Sequence, residues 1–313
     1  IRVYRHRHFS SSVSTYLKYD VVHLHNFNVL PHYLVLILIA VRRTLGMLTP
    51  RIIITTHGGF NPYWNDFSIA QSVIKKLYNK TAGLFLLNHT ADKIIAVSRW
   101  EYDALTSSGV RPEKIELIPN GVENEAYSLP SISDEKLNAI KPYLCYIGRI
   151  ARIKNLEFLI RAVKDLDLNL VIAGQVTEPE YYEYIMNLIN ELDANKRIFY
   201  YGEVYGRSKY ALIDNALAIL LMSKYESEGI IVKEAMARGK GAIVSNIETL
   251  KLLVKNHENG FVVAETSDLK RCTAQLLTDT ILSEKIATNN RRLSLQWKWS
   301  HLAERVLNVY ESA

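Results

Sequence analysis

Residues 223–246 read SKYESEGIIVKEAMARGKGAIVSN and join two apolar runs, 218–222 and 241–245, of the kind that form buried parallel strands. Between the runs, residues 230–238 are rich in good helix formers, and Gly239 is a favourable residue just past a helix end. The predicted order is strand, loop, helix, strand. In an open parallel sheet the loop that leaves the carboxyl end of a strand faces the ligand crevice, so this stretch predicts a binding site.

The start of the predicted helix is suited to an anion. The amides of Gly229, Ile230 and Ile231 lack intrahelical partners and lie at the positive end of the helix dipole, where a nucleotide diphosphate would fit. Glu226 and Glu234 have seven residues between them, and as hydrogen-bond acceptors they suit sugar hydroxyls rather than phosphates. The alternative is that both carboxylates lie on the solvated surface.

The pattern Glu-x7-Glu followed by Ala-Met-Ala-x-Gly, from Glu226 to Gly239, resembles the signature of the retaining glycosyltransferases of family 4. The resemblance implies an α/β protein of GT-B architecture, in which two Rossmann-like domains have parallel sheets that face each other across a cleft. The chain departs from the family pattern in three places. Glu228 stands where an aromatic residue is usual, Gly241 where proline is usual, and Ile247-Glu248-Thr249 where Gly-Gly is usual. We expect Glu228 to place an extra negative charge near the donor sugar.

A length of 313 residues is enough for two domains, each with its own core. We predict an amino-terminal acceptor-side domain over residues 1–123, a linker over 124–141, a nucleotide-sugar-binding domain over 142–296, and a helix over 297–313 that crosses back to the first domain. Nothing in residues 1–19 corresponds to the first strand and Gly-rich loop of the resembled family. We therefore expect an amino-terminal domain that lacks its first strands.

Composition narrows the classes of partner. The formal net charge of +6 favours an anionic partner, such as a nucleotide sugar or an anionic membrane surface, and the absence of nucleic-acid-binding motifs argues against nucleic acid. Two cysteines without disulfide or metal spacing indicate a reducing cytoplasm. No apolar run reaches the ~20 residues that span a bilayer. A second interpretation of the apolar helix predicted over residues 31–45 is peripheral docking at the inner face of the membrane.

A second candidate site follows the β-branched strand predicted over residues 51–56. His57 lies at the carboxyl end of this strand beside two glycines, and the resemblance implies that it hydrogen-bonds the donor sugar. His23 and His25 alternate on one face of an earlier predicted strand, which is compatible with a metal site or with a structural role. No Cys, Asp or Glu partner completes a metal site, so we predict a structural role and no bound metal.

A third candidate site follows the strand predicted over residues 143–147. Gly148 allows a sharp turn, Arg149 follows it, and Lys154 stands at the head of an amphipathic helix. The guanidinium and ammonium groups can meet diphosphate oxygens by fixed charge, as a magnesium ion does in other enzymes. The alternative is a solvated basic loop, and the resemblance favours the diphosphate role.

The predicted function is that of a metal-independent, retaining, hexosyltransferase-type glycosyltransferase. It moves a sugar from a UDP- or GDP-sugar to a hydroxyl of a glycan, a lipid-linked saccharide or a small metabolite, and needs no other cofactor. The resemblance implies that backbone groups near two of the binding residues, Glu203 and Val204, contact the nucleotide base. Two alternatives stay open: a non-catalytic nucleotide-sugar-binding GT-B protein or truncated subunit, and a GT-B epimerase or phosphorylase. The predicted catalytic residues are Glu226, Arg149, Lys154 and His57, and the predicted binding residues are Gly148, Glu203, Val204, Gly229, Ile230, Ile231 and Glu234.

Overall fold

Two compact units, each built on a parallel β-sheet, make up the protein. The computed structural model describes residues 13–27, 29–164 and 166–312. Unit 1 comprises the chain up to Pro119 and again from Leu302, and unit 2 comprises Asn120–His301. Residues 1–12, with which the predicted amino-terminal domain begins, lie outside the described residues.

Strands and helices alternate in unit 1, as expected for an α/β domain. The strands are short β-branched runs that are buried on both faces, since Ile52, Ile53 and Ile54 are all inaccessible to solvent. The parallel sheet has the order of the chain, first strand to fourth. The elements are β1 Val21–His25, α1 Leu30–Thr44, β2 Arg51–Thr55, α2 Ile69–Tyr78, α3 Leu84–His89, β3 Lys93–Ala96, α4 Arg99–Ser107 and β4 Ile115–Leu117.

Unit 2 has a larger core around a six-stranded parallel sheet. Its strands are again continuous apolar runs, which only a sheet covered by helices on both faces can bury. The elements are α5 Glu125–Ser128, α6 Glu135–Ala139, β5 Tyr143–Ile147, α7 Leu156–Val163, β6 Asn169–Ala173, α8 Pro179–Glu191, β7 Ile198–Tyr200, α9 Gly206–Asn215, β8 Ala218–Leu221, α10 Ile230–Ala237, β9 Ala242–Ser245, α11 Glu248–Leu253, β10 Gly260–Val263, α12 Thr266–Thr278 and α13 Thr280–Ser294.

The strand order of unit 2 has a switch point beside β5. The order is β10-β9-β8-β5-β6-β7, so the chain enters the sheet at β5, adds β6 and β7 on one side, and then adds β8 on the other side. At such a point the loops that leave two neighbouring strands diverge and leave a crevice at their carboxyl ends. The loops after β5 and β8, together with helix α10, contain most of the predicted site residues and therefore flank the expected ligand position.

The last helix, α14 (Trp299–Ser312), begins in unit 2 and ends in unit 1. Its residues Leu302 and Val309 are buried in unit 1 against Ile53, Ile95 and Ile118. The backbone carbonyl of Leu117 accepts a hydrogen bond of 2.6 Å from Arg305. The carboxyl-terminal end of the chain is thus part of the unit 1 core.

The segment 124–141, predicted as a linker, is folded onto unit 2. It contains α5 and α6, and Ala126 and Leu137 are buried in the unit 2 core. The buried guanidinium of Arg238 fixes the segment, because it pairs with Asp214 at 2.6 Å and donates to the carbonyl of Leu129 at 2.7 Å. The Ser, Pro and charged residues of segment 124–141 therefore belong to short helices and turns, which the buried Arg238 holds against unit 2.

Candidate active site

The loop from β8 to α10 has the strand, loop and helix order predicted from the sequence. Gly229 adopts a left-handed conformation, with φ of 81°, as the N-cap of α10. A Cβ at this position would lie 2.9 Å from a methyl group of Leu250, so both the backbone conformation and the space require glycine. In the described part of the chain, the amides of Ile230 and Ile231 have no protein acceptor. They are free to bind an anion.

Glu226 and Lys154 lie together at the switch point, on the loops that follow β8 and β5. The Lys154 ammonium pairs with Oε1 of Glu226, and the Ser223 hydroxyl donates to the same oxygen at 2.8 Å. Both side chains are largely buried. The loops are also joined through their backbones, because the amide of Lys224 donates to the carbonyl of Ile153 at 2.8 Å. The structure thus brings the predicted sugar-binding carboxylate and one predicted phosphate-binding cation into contact.

The turn after β5 holds Gly148 and Arg149 at the edge of the same crevice. A Cβ on Gly148 would lie 2.7 Å from the Tyr146 hydroxyl, which itself donates to the Arg149 carbonyl at 2.7 Å. The Arg149 side chain is exposed, and within the described residues it has no hydrogen-bonding or ionic partner. The guanidinium is therefore available to a ligand.

Glu234 lies inside unit 2, one helical turn into α10, and a lysine neutralises it. Nζ of Lys209 lies 2.7 Å from Oε1 of Glu234 and 3.0 Å from Oε2 of Glu123, which also accepts a hydrogen bond from Tyr210 at 3.0 Å. Burial raises the pKa of Glu234, while Lys209 opposes the rise. The alternative of a solvated surface carboxylate is wrong for Glu234, because its side chain is buried.

Glu203 and Val204 lie in the loop between β7 and α9 rather than in a strand. Strand β7 ends at Tyr200, and Gly202 then turns the chain with φ of 77°. Val204 is buried, and the exposed Glu203 accepts a hydrogen bond from Tyr205 at 2.5 Å. The loop leaves the carboxyl end of the sheet, on the side of the crevice formed by β6 and β7.

Glu228 does not add charge to the donor site as expected. Its side chain is buried, where it pairs with the buried Lys233 and accepts hydrogen bonds from the backbone and side-chain amides of Asn120. The Lys233 ammonium also lies 5.0 Å from the ring centroid of Trp297. The negative charge is thus matched inside the protein, and the departure from the family pattern is a structural ion pair.

In unit 1, His57 follows β2 and has an unusual backbone. Its φ of 47° is left-handed, and the carboxylate of the buried Glu101 holds the turn by accepting from the Thr56 hydroxyl at 2.6 Å and from the Gly58 amide. Nε2 of His57 lies 3.0 Å from Nδ1 of His25. Burial, followed by the nearby His25, lowers the pKa of His57 to about 4, so the ring is neutral at pH 7. A neutral imidazole can orient a sugar hydroxyl but adds no charge.

His23 is held within unit 1 by protein atoms. Its Nδ1 lies 2.7 Å from the Tyr310 hydroxyl, and its Nε2 lies 2.7 Å from the Thr55 hydroxyl. Burial, His25 and His57 together lower its pKa to about 3. In the ranges that the structure describes, no group of three or more His, Cys, Asp or Glu side chains is arranged to hold a metal ion.

The geometry can be compared with known protein families. The model of the glycosyl transferases group 1 matches residues 131–293, more than half of the chain, and the model of Glycosyltransferase Family 4 matches residues 2–126. The chain belongs to the glycosyl transferases group 1 family. The pattern of residues 226–239 predicted a relationship to glycosyltransferases, and the match confirms it for the group 1 family.

Curated relatives share about a quarter of their aligned residues with this chain. Alpha-maltose-1-phosphate synthase of Mycolicibacterium smegmatis is 25% identical over 243 residues, which are 70% of this chain and 63% of that protein. GDP-mannose:cellobiosyl-diphosphopolyprenol alpha-mannosyltransferase of Xanthomonas campestris is 27% identical over 234 residues, 70% of this chain and 54% of that protein. The chain spans about six tenths of the length of the first curated relatives that it matches.

Two solved structures share the fold. Alr3699/HepE of Anabaena, in complex with UDP and glucose, has a TM-score of 0.79 at 20% identity and covers 96% of this chain and 80% of its own. Sucrose-phosphate synthase of Thermosynechococcus elongatus has a TM-score of 0.79 at 20% identity, over 96% of this chain and 75% of its own. These likenesses confirm the predicted α/β class and GT-B architecture with two parallel-sheet domains.

Two residues of this group 1 protein were missed by reasoning from the sequence. Lys209 pairs with Glu234 although it lies 25 positions earlier, and Glu101 fixes the turn at His57 although it lies 44 positions later. Neither has a local motif, because each reaches its partner only after two elements pack together. A charged residue in an otherwise apolar helix face was the available signal, and it does not identify the partner.

Proposed function

We propose that this protein is a metal-independent, retaining glycosyltransferase that uses a nucleotide-diphosphate sugar. The observation that carries the proposal is the meeting of Lys154 with Glu226 at the switch point of unit 2, beside the free amides that begin α10. Within one crevice, the cation and the helix amino terminus suit the diphosphate of such a donor, and the carboxylate suits its sugar hydroxyls. The bond that breaks in the reaction joins these two parts of the donor.

In the proposed reaction the bond between the anomeric carbon and the diphosphate oxygen breaks, and a bond from the acceptor oxygen to the anomeric carbon forms on the same face. The leaving phosphate oxygen accepts the proton of the acceptor hydroxyl. Negative charge grows on the diphosphate as its bond breaks, so donors aimed at it lower the barrier. We assign this role to Arg149, Lys154 and the amides of Gly229, Ile230 and Ile231.

Binding and orientation fall to other residues. Glu226 accepts hydrogen bonds from donor-sugar hydroxyls, and its pairing with Lys154 holds it in place before the donor arrives. Glu234 accepts from the ribose hydroxyls through the oxygen that Lys209 leaves available. His57, neutral at pH 7, is a further proposed sugar ligand, and backbone groups at Glu203 and Val204 are the proposed contacts of the base.

The donor we propose is a UDP- or GDP-sugar, and the acceptor is a saccharide hydroxyl. Support comes from the solved relative that holds UDP and glucose, and from the relative that is named for GDP-mannose. Metal independence is supported by the cations Arg149 and Lys154, which supply the positive charge that a metal ion supplies elsewhere. The buried free thiols of Cys145 and Cys272 support action in the reducing cytoplasm.

The decisive experiment is calorimetric titration of the protein with UDP, GDP and their common sugars, in magnesium and in EDTA. We expect one nucleotide to bind equally in both solutions, and its sugar form to bind more tightly. The extra affinity of the sugar form should be lost in Glu226→Gln and kept in Glu248→Gln, whose carboxylate lies on the exposed surface of α11.

Product analysis completes the test. Proton NMR of the product formed from an α-linked donor should give an α anomer, and a β anomer would refute retention. Donor binding without turnover in the presence of saccharide acceptors would instead favour a non-catalytic nucleotide-sugar-binding protein. Release of an altered sugar nucleotide without acceptor would favour an epimerase. Binding that requires magnesium would refute metal independence.

A further inference from the structure

Helix α2 presents its apolar side to solvent. None of its residues is buried, and its large apolar side chains are 86% exposed at Ile69, 59% at Val73, 67% at Ile74 and 63% at Leu77. Residues 69, 73 and 77 recur every fourth position and form one stripe, with Ile74 beside it. A surface helix of a globular domain normally turns such a stripe toward the core, as α7 does with Leu156, so the α2 stripe lacks its usual cover.

The helix and its surroundings have one sign of charge. Between Asp66 and Asp92 the chain contains no carboxylate, while Lys75, Lys76 and Lys80 each add a positive charge. A solvated protein surface normally mixes both signs. Here an exposed apolar stripe adjoins three lysines in a stretch that has no acidic residue.

Aromatic side chains border this face. Nζ of Lys75 lies 4.7 Å from the ring centroid of Phe67, and Nζ of Lys76 lies 4.9 Å from that of Trp64. A capping box at Ser68 fixes the start of the helix next to these rings. Trp and Phe bodies with lysine ends are the side chains that settle at the boundary between acyl chains and lipid headgroups.

We propose that the face formed by Ile69, Val73, Ile74 and Leu77 with Lys76 and Lys80, the basic apolar face, docks on an anionic lipid surface. In this position α2 lies in the plane of the interface, with its apolar stripe among the acyl chains and its lysines at the headgroups. Among the described residues, no helix is long and apolar enough to cross a bilayer. In the proposed contact, α2 lies on the membrane surface.

Charge complementarity selects the lipid surface over a second copy of the chain. Two copies joined by a two-fold axis through this face would bring their lysines together with no carboxylate from residues 67–91 to pair them. A bilayer with anionic headgroups supplies both the apolar layer and the opposite charge. The proposal goes beyond the proposed function, because it concerns where unit 1 binds rather than which sugar the protein transfers.

The test is flotation of the whole chain with vesicles of phosphatidylcholine alone, or of phosphatidylcholine with one third phosphatidylglycerol. We expect binding to the mixed vesicles that falls as salt is raised, and little binding to phosphatidylcholine alone. Lys76→Gln with Lys80→Gln should weaken partition about 30-fold, because each lysine contributes about fivefold. Val73→Asn with Leu77→Asn should abolish it, because the apolar stripe no longer inserts.

Matched controls are Ile281→Asn and Lys285→Gln on α13, an exposed isoleucine and an exposed lysine of unit 2, and both should bind as wild type does. Equal binding to both kinds of vesicle, or wild-type binding by both α2 variants, would overturn the proposal. Sedimentation velocity tests the alternative that a second copy of the chain covers this face. If wild type does not bind vesicles but forms a dimer, and the Val73→Asn, Leu77→Asn variant is a monomer, the face belongs to a dimer interface instead. Nucleotide titration without vesicles keeps this result separate from that of the proposed function.

Discussion

Replacement of Lys209 by methionine tests the buried ion pair beneath the proposed ribose site. The change keeps most of the apolar stem and removes the ammonium that lies 2.7 Å from Glu234 and 3.0 Å from Glu123. The Lys209 and Glu234 side chains are 13% and 9% exposed, so water cannot replace the lost partner. Removing one partner of such a pair leaves a buried charge, and we expect a loss of about 3 kcal/mol in the free energy of unfolding.

The loss should depend on pH in a direction fixed by Glu234. Burial already raises the pKa of Glu234, and without Lys209 the pKa rises further. Between the unfolded and folded pKa values the folded variant then holds a proton that the unfolded chain has released, so its stability falls as pH rises through this window. Glu123 acts in the same direction, because the Lys209 hydrogen bond that lowers its pKa is also lost. The deficit should be smaller at pH 5 than at pH 8.

The assay is urea unfolding followed by circular dichroism at pH 5 and pH 8, on ligand-free protein. Wild type measured at each pH removes the contribution of other titrating groups, and the Lys209→Met, Glu234→Gln double variant removes the buried charge. The double variant should recover most of the stability and show little difference between the two pH values. An equal deficit at both pH values, or a double variant that is no more stable than the single one, would refute the role we give to Lys209.

Three further predictions follow from the same geometry. Gly229→Ala should lower the free energy of unfolding in urea by about 2 kcal/mol, because the backbone is left-handed and the new Cβ meets a leucine methyl group. The control is Gly202→Ala, at a position with a similar φ but open space around it. A loss of the same size in the control would show that the leucine contact contributes nothing. Glu228→Ala should cost about 3 kcal/mol, because the charge of Lys233 is left buried, and Lys233→Met in the same chain should restore most of it. NMR titration of His57 should give a midpoint near 4, so its contribution to stability is complete above pH 6.5 and is lost as pH falls toward 4; a midpoint near 6.5 would contradict the buried geometry.

Local patterns in the sequence predicted the elements of the site well. The apolar runs 218–222 and 241–245 became β8 and β9, and Gly229 became the left-handed N-cap of α10. Both features depend on residues within a few positions of each other, so the chain specifies them locally. The order of strands in the sheet depends on which surfaces pack together, and the hydrophobic periodicity of the sequence does not predict that order. The expectation of two GT-B domains came from the resemblance.

Longer-range contacts were beyond the sequence argument. The contact of Lys154 with Glu226 joins residues 72 positions apart, and only the neighbouring positions of β5 and β8 bring them together. The orientation of Glu228 was predicted wrongly for the same reason. From the sequence alone, a loop carboxylate beside a predicted sugar site is expected to be exposed, whereas the fold places Lys233 and Asn120 within its reach.

The buried pair of Glu228 and Lys233 also constrains how this loop can evolve. An aromatic residue at position 228, as is usual in the family, would strand the lysine charge, and an apolar residue at 233 alone would strand the carboxylate. Each single step toward the common sequence is therefore unfavourable, while the two together are tolerable: this is sign epistasis between neighbouring turns. Consensus engineering of this protein should exchange both positions at once, and the loop of a relative should be grafted as a whole segment from Glu226 to Glu234.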